Sequence, residues 1–274
     1  MTEPLVSIGI PTYNNPEGLE KIIINFICQS YENYEIIVSV NPSWSEDINT
    51  KYQQLAERYT GIRWYFQPAQ IGLINNFAFV LKQATGKYFM YAQDDDEWSL
   101  GFIKGLVWFL ESAPTVPVAM SKVERRDDTG EIFDTFDMKN ISVLNAMHDE
   151  KLAFVFMGVW RLNKLREYSR VWTDIAICAQ ALLDGGVLID SNELYTKGMR
   201  HDKAKEQIQG NPFWYFHIYW SLLKGVYSKD WTKLPAVAEY NFVWVIRSYA
   251  AQILFLLPVD HPIRKTVRKL TSHS

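Results

Sequence analysis

Cysteine is scarce in this 274-residue chain: Cys28 and Cys178 stand far apart, each inside an apolar stretch. Two thiols so placed make no redox pair, no metal motif and no disulfide framework, and both are expected to be buried in a reducing compartment. Long unbroken apolar runs are lacking too. The most apolar late stretch, residues 242–259, is interrupted by Arg247, Ser248 and Gln252, whereas a spanning helix needs about 20 nearly uninterrupted apolar residues. The opening Met1-Thr2-Glu3-Pro4 has neither a basic region nor an apolar core, so nothing there marks a signal peptide. There is no phosphate-cradling Gly-rich loop, no Gly-x-Ser-x-Gly and no Ser-His-Asp order, which leaves P-loop and acyl-transfer chemistry unsupported. No internal repeat or low-complexity segment appears.

What is present is enough for a full core: 48% of the residues are hydrophobic and 15% aromatic, which excludes a disordered or fibrous chain. The length suits one large domain, or one domain with an appendage. The formal charge of −3 divides unevenly. Residues 212–274 hold eight Lys or Arg against three acids, a net +5, which leaves −8 for residues 1–211. An acidic body with a basic tail often points to an anionic surface.

The first half alternates short apolar runs with helical patterns. Residues 5–10, 34–40, 62–66 and 88–92 read as buried strands. Continuous rather than alternating apolar strands indicate a parallel sheet covered on both faces. Asn15-Pro16 opens a helix with Leu19, Ile22, Ile23 and Phe26 on one face. Ser45 caps a second helix, with Ile48, Tyr52 and Leu55 inward and Gly61 as its stop. Residues 74–84 form a third helix, closed at Gly86. This βαβαβαβ order describes an open, mostly parallel sheet flanked by helices, which binds ligands at the carboxyl ends of its strands. The reading continues with a helix over 102–110 and a hairpin of 118–124 and 131–136 around Asp127-Asp128-Thr129-Gly130. A strand over 152–160 follows, then a helix over 174–183 ended by Gly185-Gly186, a short strand over 187–189 and a polar loop over 191–204.

The run Gln93-Asp94-Asp95-Asp96-Glu97-Trp98 follows the fourth strand directly. Adjacent carboxylates raise one another's pKa, and a divalent cation removes that penalty. Carboxylate oxygens suit hard ions such as Mg²⁺ or Mn²⁺, which typically bridge to substrate phosphates. A solvated acidic turn, or an N-cap for the next helix, reads the same residues equally well.

Position and context separate these readings. Val6-Ser7-Ile8-Gly9-Ile10-Pro11-Thr12-Tyr13-Asn14, Gln29-Ser30-Tyr31 with Tyr34-Glu35-Ile36-Ile37-Val38, Gly72 and Asn76, and Ala84-Thr85-Gly86-Lys87-Tyr88 precede the acidic run in order. In these segments the chain resembles the family 2 glycosyltransferases, inverting enzymes with the GT-A fold. The resemblance is close over residues 5–98, looser to about 205 and absent after that. It implies a GT-A-like catalytic domain over 1–211, with a nucleotide-sugar-binding half (1–98) and an acceptor half (99–211). An aromatic and basic helical tail (212–274) would extend it.

The resemblance also implies roles. Pro11, Thr12 and Tyr13 would line the donor nucleotide, as would Asn76. The aspartates would hold the donor ribose and a Mn²⁺ or Mg²⁺ ion on its diphosphate. In one register Asp94 faces the ribose and Asp96 the metal; in the other Gln93 replaces the first Asp and Asp95 is the metal ligand. Asp174, after Thr173 at a helix start, stands where the family places the base that deprotonates the acceptor hydroxyl, although a plain N-cap is the commoner role of such a residue. His201 lies where many relatives place a third metal ligand or phosphate contact, with Arg200 beside it to meet a phosphate. Where the family usually carries an Asp for a uracil base, this chain has Val40 or Asn41. Valine accepts no hydrogen bond and Asn41 offers both a donor and an acceptor, so this departure argues against a UDP-linked donor and leaves donors on dTDP, GDP or CDP open.

The implied activity is an inverting, metal-dependent transfer of one sugar from a nucleotide-sugar donor to a hydroxyl of a glycan or lipid-linked glycan, in surface polysaccharide or glycoconjugate synthesis. The expected place is the cytoplasm, peripheral on the inner face of the membrane. The tail holds thirteen aromatics, with Arg264, Lys265, Arg268 and Lys269 as a basic strip. Such helices suit an anionic membrane surface; packing on the core or building a homo-oligomer are the competing readings. The acidic body repels phosphate and no RNA or DNA motif appears, so nucleic acid is not an expected partner. Two rivals remain: a nucleotidyltransferase on a related fold, and a non-catalytic nucleotide- or glycan-binding protein.

Overall fold

The computed structural model describes residues 3–127, 129–136, 138, 140–144, 151–170, 173–198, 214–239, 241 and 242. The four predicted strands of the first half are present as β1 (Val6–Thr12), β2 (Tyr34–Val40), β3 (Arg63–Phe66) and β4 (Tyr88–Tyr91). β1 pairs in parallel with both β2 and β4, and β2 with β3. Every residue of β1 is buried, as a strand covered on both faces requires. The helices α1 (Pro16–Ile27), α2 (Glu46–Arg58) and α3 (Leu73–Gln83) form the crossovers. Asn15 caps α1, its side-chain oxygen accepting from the Gly18 amide, and Pro16 fills the first turn, where no amide partner is needed. Ser45 stands at the start of α2 but its hydroxyl makes no cap bond. The preceding loop is instead tied by Asn49, which accepts from the Ser43 amide and donates to the Ser43 carbonyl.

A two-residue strand, β5 (Glu97–Trp98), follows the acidic turn, and α4 (Phe102–Ser112) succeeds it. The hairpin is present as β6 (Val118–Arg126) and β7 (Ile132–Phe136), paired antiparallel. Together with β8 (Val159–Arg161) and β9 (Val187–Gly198), these strands complete one nine-stranded sheet in the order β3-β2-β1-β4-β8-β6-β9-β5, with β7 beside β6. β8 is antiparallel to both β4 and β6, so it joins the parallel first half to the mixed second half.

Two expected elements differ. The strand expected over 152–160 is a helical turn, α5 (Lys151–Phe154), a 3₁₀ turn (Val155–Met157) and only then β8. A short fully apolar run carries no periodicity that separates a buried strand from a buried helical turn. The polar loop expected from 191 is strand as far as Gly198, while residues 199–204 lie outside the described residues. Its polar side chains are tolerated because β9 pairs with β6 along its length and with β5 at its end.

Helices α6 (Leu162–Tyr168) and α7 (Asp174–Asp184) lie between β8 and β9 in the chain. Helix α8 (Trp214–Lys229) packs against α7, burying Ile218, Leu222 and Val226, while Trp220, Tyr227 and Trp231 stay exposed. Cys178 is buried in α7, but Cys28 is exposed, which corrects the expectation for it. Cys28 lies at the C-cap of α1, two residues past Phe26, the last buried position of that helix. Among the described residues no helix is long and apolar enough to cross a membrane. Residues 243–274, with the basic strip, lie outside the described residues.

Candidate active site

The carboxyl ends of β1, β2 and β4 meet the acidic turn. β1 outruns its pairing with β4, which ends at Gly9 and Tyr91, so the chain leaving β4 runs alongside the end of β1. Thr12 there donates to Asp94 (Oγ1 to Oδ2, 2.6 Å) and lies 3.0 Å from the Tyr52 hydroxyl. Tyr52, on α2, accepts from the Asn15 amide at 2.8 Å, and Asn15 Nδ2 donates to the Asp94 carbonyl at 2.5 Å. Pro11 is buried and Tyr13 half-buried beside them. Asn41, nearly fully buried, donates its amide to the Thr12 carbonyl at 3.0 Å and accepts from the Ile71 amide with Oδ1 at 3.3 Å. Asn76 reaches from α3 to the Ser39 carbonyl at 3.1 Å and the Thr12 carbonyl at 3.5 Å. Its buried Oδ1 has no partner among the described residues. An orphaned buried acceptor calls for an explanation, and here it lies against the strand ends where an open sheet takes its ligand.

The three aspartates have separate fates. Asp94 is tied to β1. Asp96 is fully withdrawn from solvent, its Oδ2 accepting from the Tyr195 hydroxyl at 2.7 Å and its Oδ1 from Lys197 Nζ at 3.0 Å and the Gly198 amide at 3.2 Å. Burial pushes its carboxyl up to about 6, against the pull of the Lys197 ammonium. Asp95 remains partly open, with Lys197 Nζ 3.8 Å from its Oδ1. Burial alone would lower the Lys197 ammonium, but Asp96 and Asp95 outweigh it and hold the group above its ordinary value.

Two glycines let neighbouring backbone press on the turn. A Cβ on Gly18 would lie 2.1 Å from the Asp94 carbonyl oxygen, and one on Gly198 would lie 1.9 Å from that of Asp95. Neither approach is open to another residue.

Asp174 is the first residue of α7. Thr173 is the cap, its hydroxyl accepting from the Ala176 amide at 3.3 Å, so Asp174 is not needed for that role. The residue is exposed, and its carboxylate accepts from the Ile175 amide at 2.8 Å. Surrounding protein desolvates it in part and raises its carboxyl above the ordinary value. A raised carboxyl is the better proton acceptor near neutral pH.

Of the site residues expected from sequence, Pro11, Thr12, Tyr13, Asn41, Asn76 and Asp94 come together, and Asp95 and Asp96 continue the same turn. Asp174 stands on a separate helix, hydrogen-bonded within it. His201 and Arg200 lie outside the described residues. Tyr52, Tyr195, Lys197 and Gly198 went unforeseen, the last three because residues 191–204 read as a polar loop.

Among the described residues no three His, Cys, Asp or Glu side chains gather to cage a metal ion. The open Asp95 carboxylate, with Asp94 beside it, fits the other common arrangement, in which one or two carboxylates hold Mg²⁺ or Mn²⁺ together with substrate phosphates.

Comparison with known proteins agrees with this geometry. Over 105 residues the chain is 32% identical to a GalNAc(5)-diNAcBac-PP-undecaprenol beta-1,3-glucosyltransferase of Campylobacter jejuni, a match covering 38% of this chain and 34% of that one. The matched stretch is thus about a third of that relative's length. S. aureus TarS 1–349, in a crystal structure with UDP-GlcNAc, superposes with a TM-score of 0.68 at 15% identity, over 87% of this chain and 72% of that one. The mannosyltransferase PcManGT of Pyrobaculum calidifontis, solved with GDP-Man and Mn²⁺, gives 0.58 at 15% identity, over 100% and 80%. Both likenesses place the mixed, mostly parallel sheet and its helices among GT-A structures. The model of glycosyl transferase family 2 matches residues 7–171, more than half of the chain and the whole of the acidic turn; the chain belongs to that family.

Proposed function

We propose that the protein is an inverting glycosyltransferase that moves one sugar from a nucleotide-sugar donor to a hydroxyl of a glycan or lipid-linked glycan. The observation that carries this reading is the joining of the β1 end to the acidic turn through Thr12 and Asp94, inside a family 2 match. In this reading residues 1–98 hold the donor, residues 99–211 shape the acceptor side and residues 212–274 form a tail. Asp94 faces the ribose. Asp95 holds Mn²⁺ or Mg²⁺, and Asp96, which has no open oxygen, belongs to the fold. The cation would act as a Lewis acid on the departing diphosphate.

The chain's own groups account for the rest. Asp174 accepts the proton of the acceptor hydroxyl as the new carbon–oxygen bond forms on the face opposite the leaving group. The bond from that carbon to the phosphate oxygen breaks, and the nucleoside diphosphate leaves. The ligands bound in the structural neighbours, UDP-GlcNAc and GDP-Man with Mn²⁺, support a nucleotide-sugar donor. The relative that acts on an undecaprenol-linked glycan supports a lipid-linked acceptor. That acceptor, with the exposed Trp220, Tyr227 and Trp231, favours peripheral placement on the cytoplasmic face of the membrane.

A thermal-shift panel of UDP, GDP, CDP and dTDP, each with Mn²⁺ or EDTA, tests the donor site. At least one nucleotide should raise the melting temperature, and more so with Mn²⁺; no shift with any of them would overturn the donor site. Sedimentation with anionic vesicles at low salt tests the membrane placement, and equal recovery with neutral vesicles would count against it.

A further inference from the structure

The acidic turn already carries a cation of its own. Lys197 Nζ donates to Asp96 Oδ1 at 3.0 Å and to Gln93 Oε1, and stands 3.8 Å from Asp95 Oδ1. Its side chain is 22% exposed, against none for Asp96. The ammonium thus lies between the buried carboxylate and the partly open one, on a side chain that is itself partly open. Lys197 spans both, and reaches Gln93 at the start of the turn.

The backbone fixes that placement. Thr196 pairs with Glu97 across β9 and β5, which sets Lys197 opposite Asp96, and Gly198 lets the end of β9 close onto the Asp95 carbonyl. One ammonium reduces the formal charge of three carboxylates from −3 to −2, which still repels a diphosphate. A divalent ion at Asp95 would neutralise the remainder. The diphosphate would then meet two positive centres, one brought with the donor and one belonging to the chain.

We propose that Lys197 is a donor-phosphate residue: it holds Asp96 with one side of its ammonium and offers the exposed side to the donor diphosphate, next to the cation at Asp95. This rests on the donor site proposed above. Lysine binds phosphate as a point charge, so its contribution survives removal of the metal and vanishes when the ligand has no phosphates.

The test measures affinity for the best nucleoside diphosphate of the panel and for its parent nucleoside, in Mn²⁺ and in EDTA, for the wild type, Lys197→Arg and Lys197→Met. In EDTA the wild type should retain weakened but measurable diphosphate binding. Lys197→Met should lose about tenfold in diphosphate affinity in both conditions while binding the nucleoside as the wild type does, and Lys197→Arg should recover most of the loss. Should Lys197→Met fail to fold, Asp96→Asn combined with Lys197→Met removes both charges of the buried pair and replaces it. Equal diphosphate affinity of the wild type and the folded variant, or an equal loss for nucleoside and diphosphate, would overturn the assignment of Lys197. Absence of wild-type nucleotide binding even with Mn²⁺ would instead overturn the donor site itself.

Discussion

On the proposed donor side, β1, β2 and β4 run parallel, β4 stopping level with Gly9 while β1 and β2 run on to Thr12 and Val40, and the candidate ligand groups are held by hydrogen bonds reaching across strands: Thr12 to Asp94, Asn76 to the Ser39 carbonyl. Beyond β4 the strands are mixed in direction. In the proposed reading, chemistry there enters one residue at a time, with Asp174 at the head of α7 and Lys197 at the end of β9. The proposed donor side is therefore preorganised as a unit, whereas in the same reading the second half supplies single groups whose supports are local. Substitutions in the first should weaken binding by degrees, while those in the second should remove one function and leave the rest.

Asp174→Asn probes that difference most severely. Turnover should fall about 10²–10⁴-fold, the usual contribution of a positioned base, with diphosphate affinity unchanged; turnover close to wild type would remove Asp174 from the base role. Gly198→Ala comes next, because its Cβ would lie 1.9 Å from the Asp95 carbonyl oxygen and must displace the turn. Mn²⁺-supported diphosphate affinity should drop about tenfold, in line with the ~1–3 kcal/mol cost of overpacking, and calorimetric titration reads it directly. Thr12→Val should have the smallest effect. It removes the hydroxyl that donates to Asp94, and a hydrogen bond to a partly solvated partner is worth about 1 kcal/mol. A roughly fivefold weaker nucleotide affinity is expected, with Asp174-dependent chemistry untouched.

The same contrast explains what the residues disclosed before any coordinates. In the first half, continuous apolar strands, Asn15-Pro16 at a helix start and the position of the acidic run directly after β4 all point one way. Local signals and fold agree there. In the second half the signals are ambiguous. Residues 152–160 are apolar throughout and so carry no period, and residues 191–198 look like a loop because their polar side chains find partners far away in sequence, at β6, β5, Ser99 and the acidic turn. Lys197 was hidden for that reason: its meaning depends on two carboxylates about a hundred positions earlier. Burial separates Asp95 from Asp96, a difference that no local pattern encodes and that supports the proposed Asp95 register. Cys28 fell on the wrong side because it sits just beyond the buried stripe of α1.

The central claim is that the acidic turn divides its labour, Asp95 serving the ligand and Asp96 the fold. Melting temperature and Mn²⁺-supported diphosphate affinity, measured side by side for Asp95→Asn and Asp96→Asn, test it most directly. Asp95→Asn should melt within about 1–2 °C of the wild type, as substitutions at open positions do, and lose most of its Mn²⁺-dependent affinity. Asp96→Asn leaves Lys197 without its buried partner and should melt clearly lower, while its folded fraction still binds the diphosphate with Mn²⁺ enhancement. The reverse pattern, with Asp96→Asn stable but indifferent to Mn²⁺ and Asp95→Asn unstable but responsive, would contradict the account.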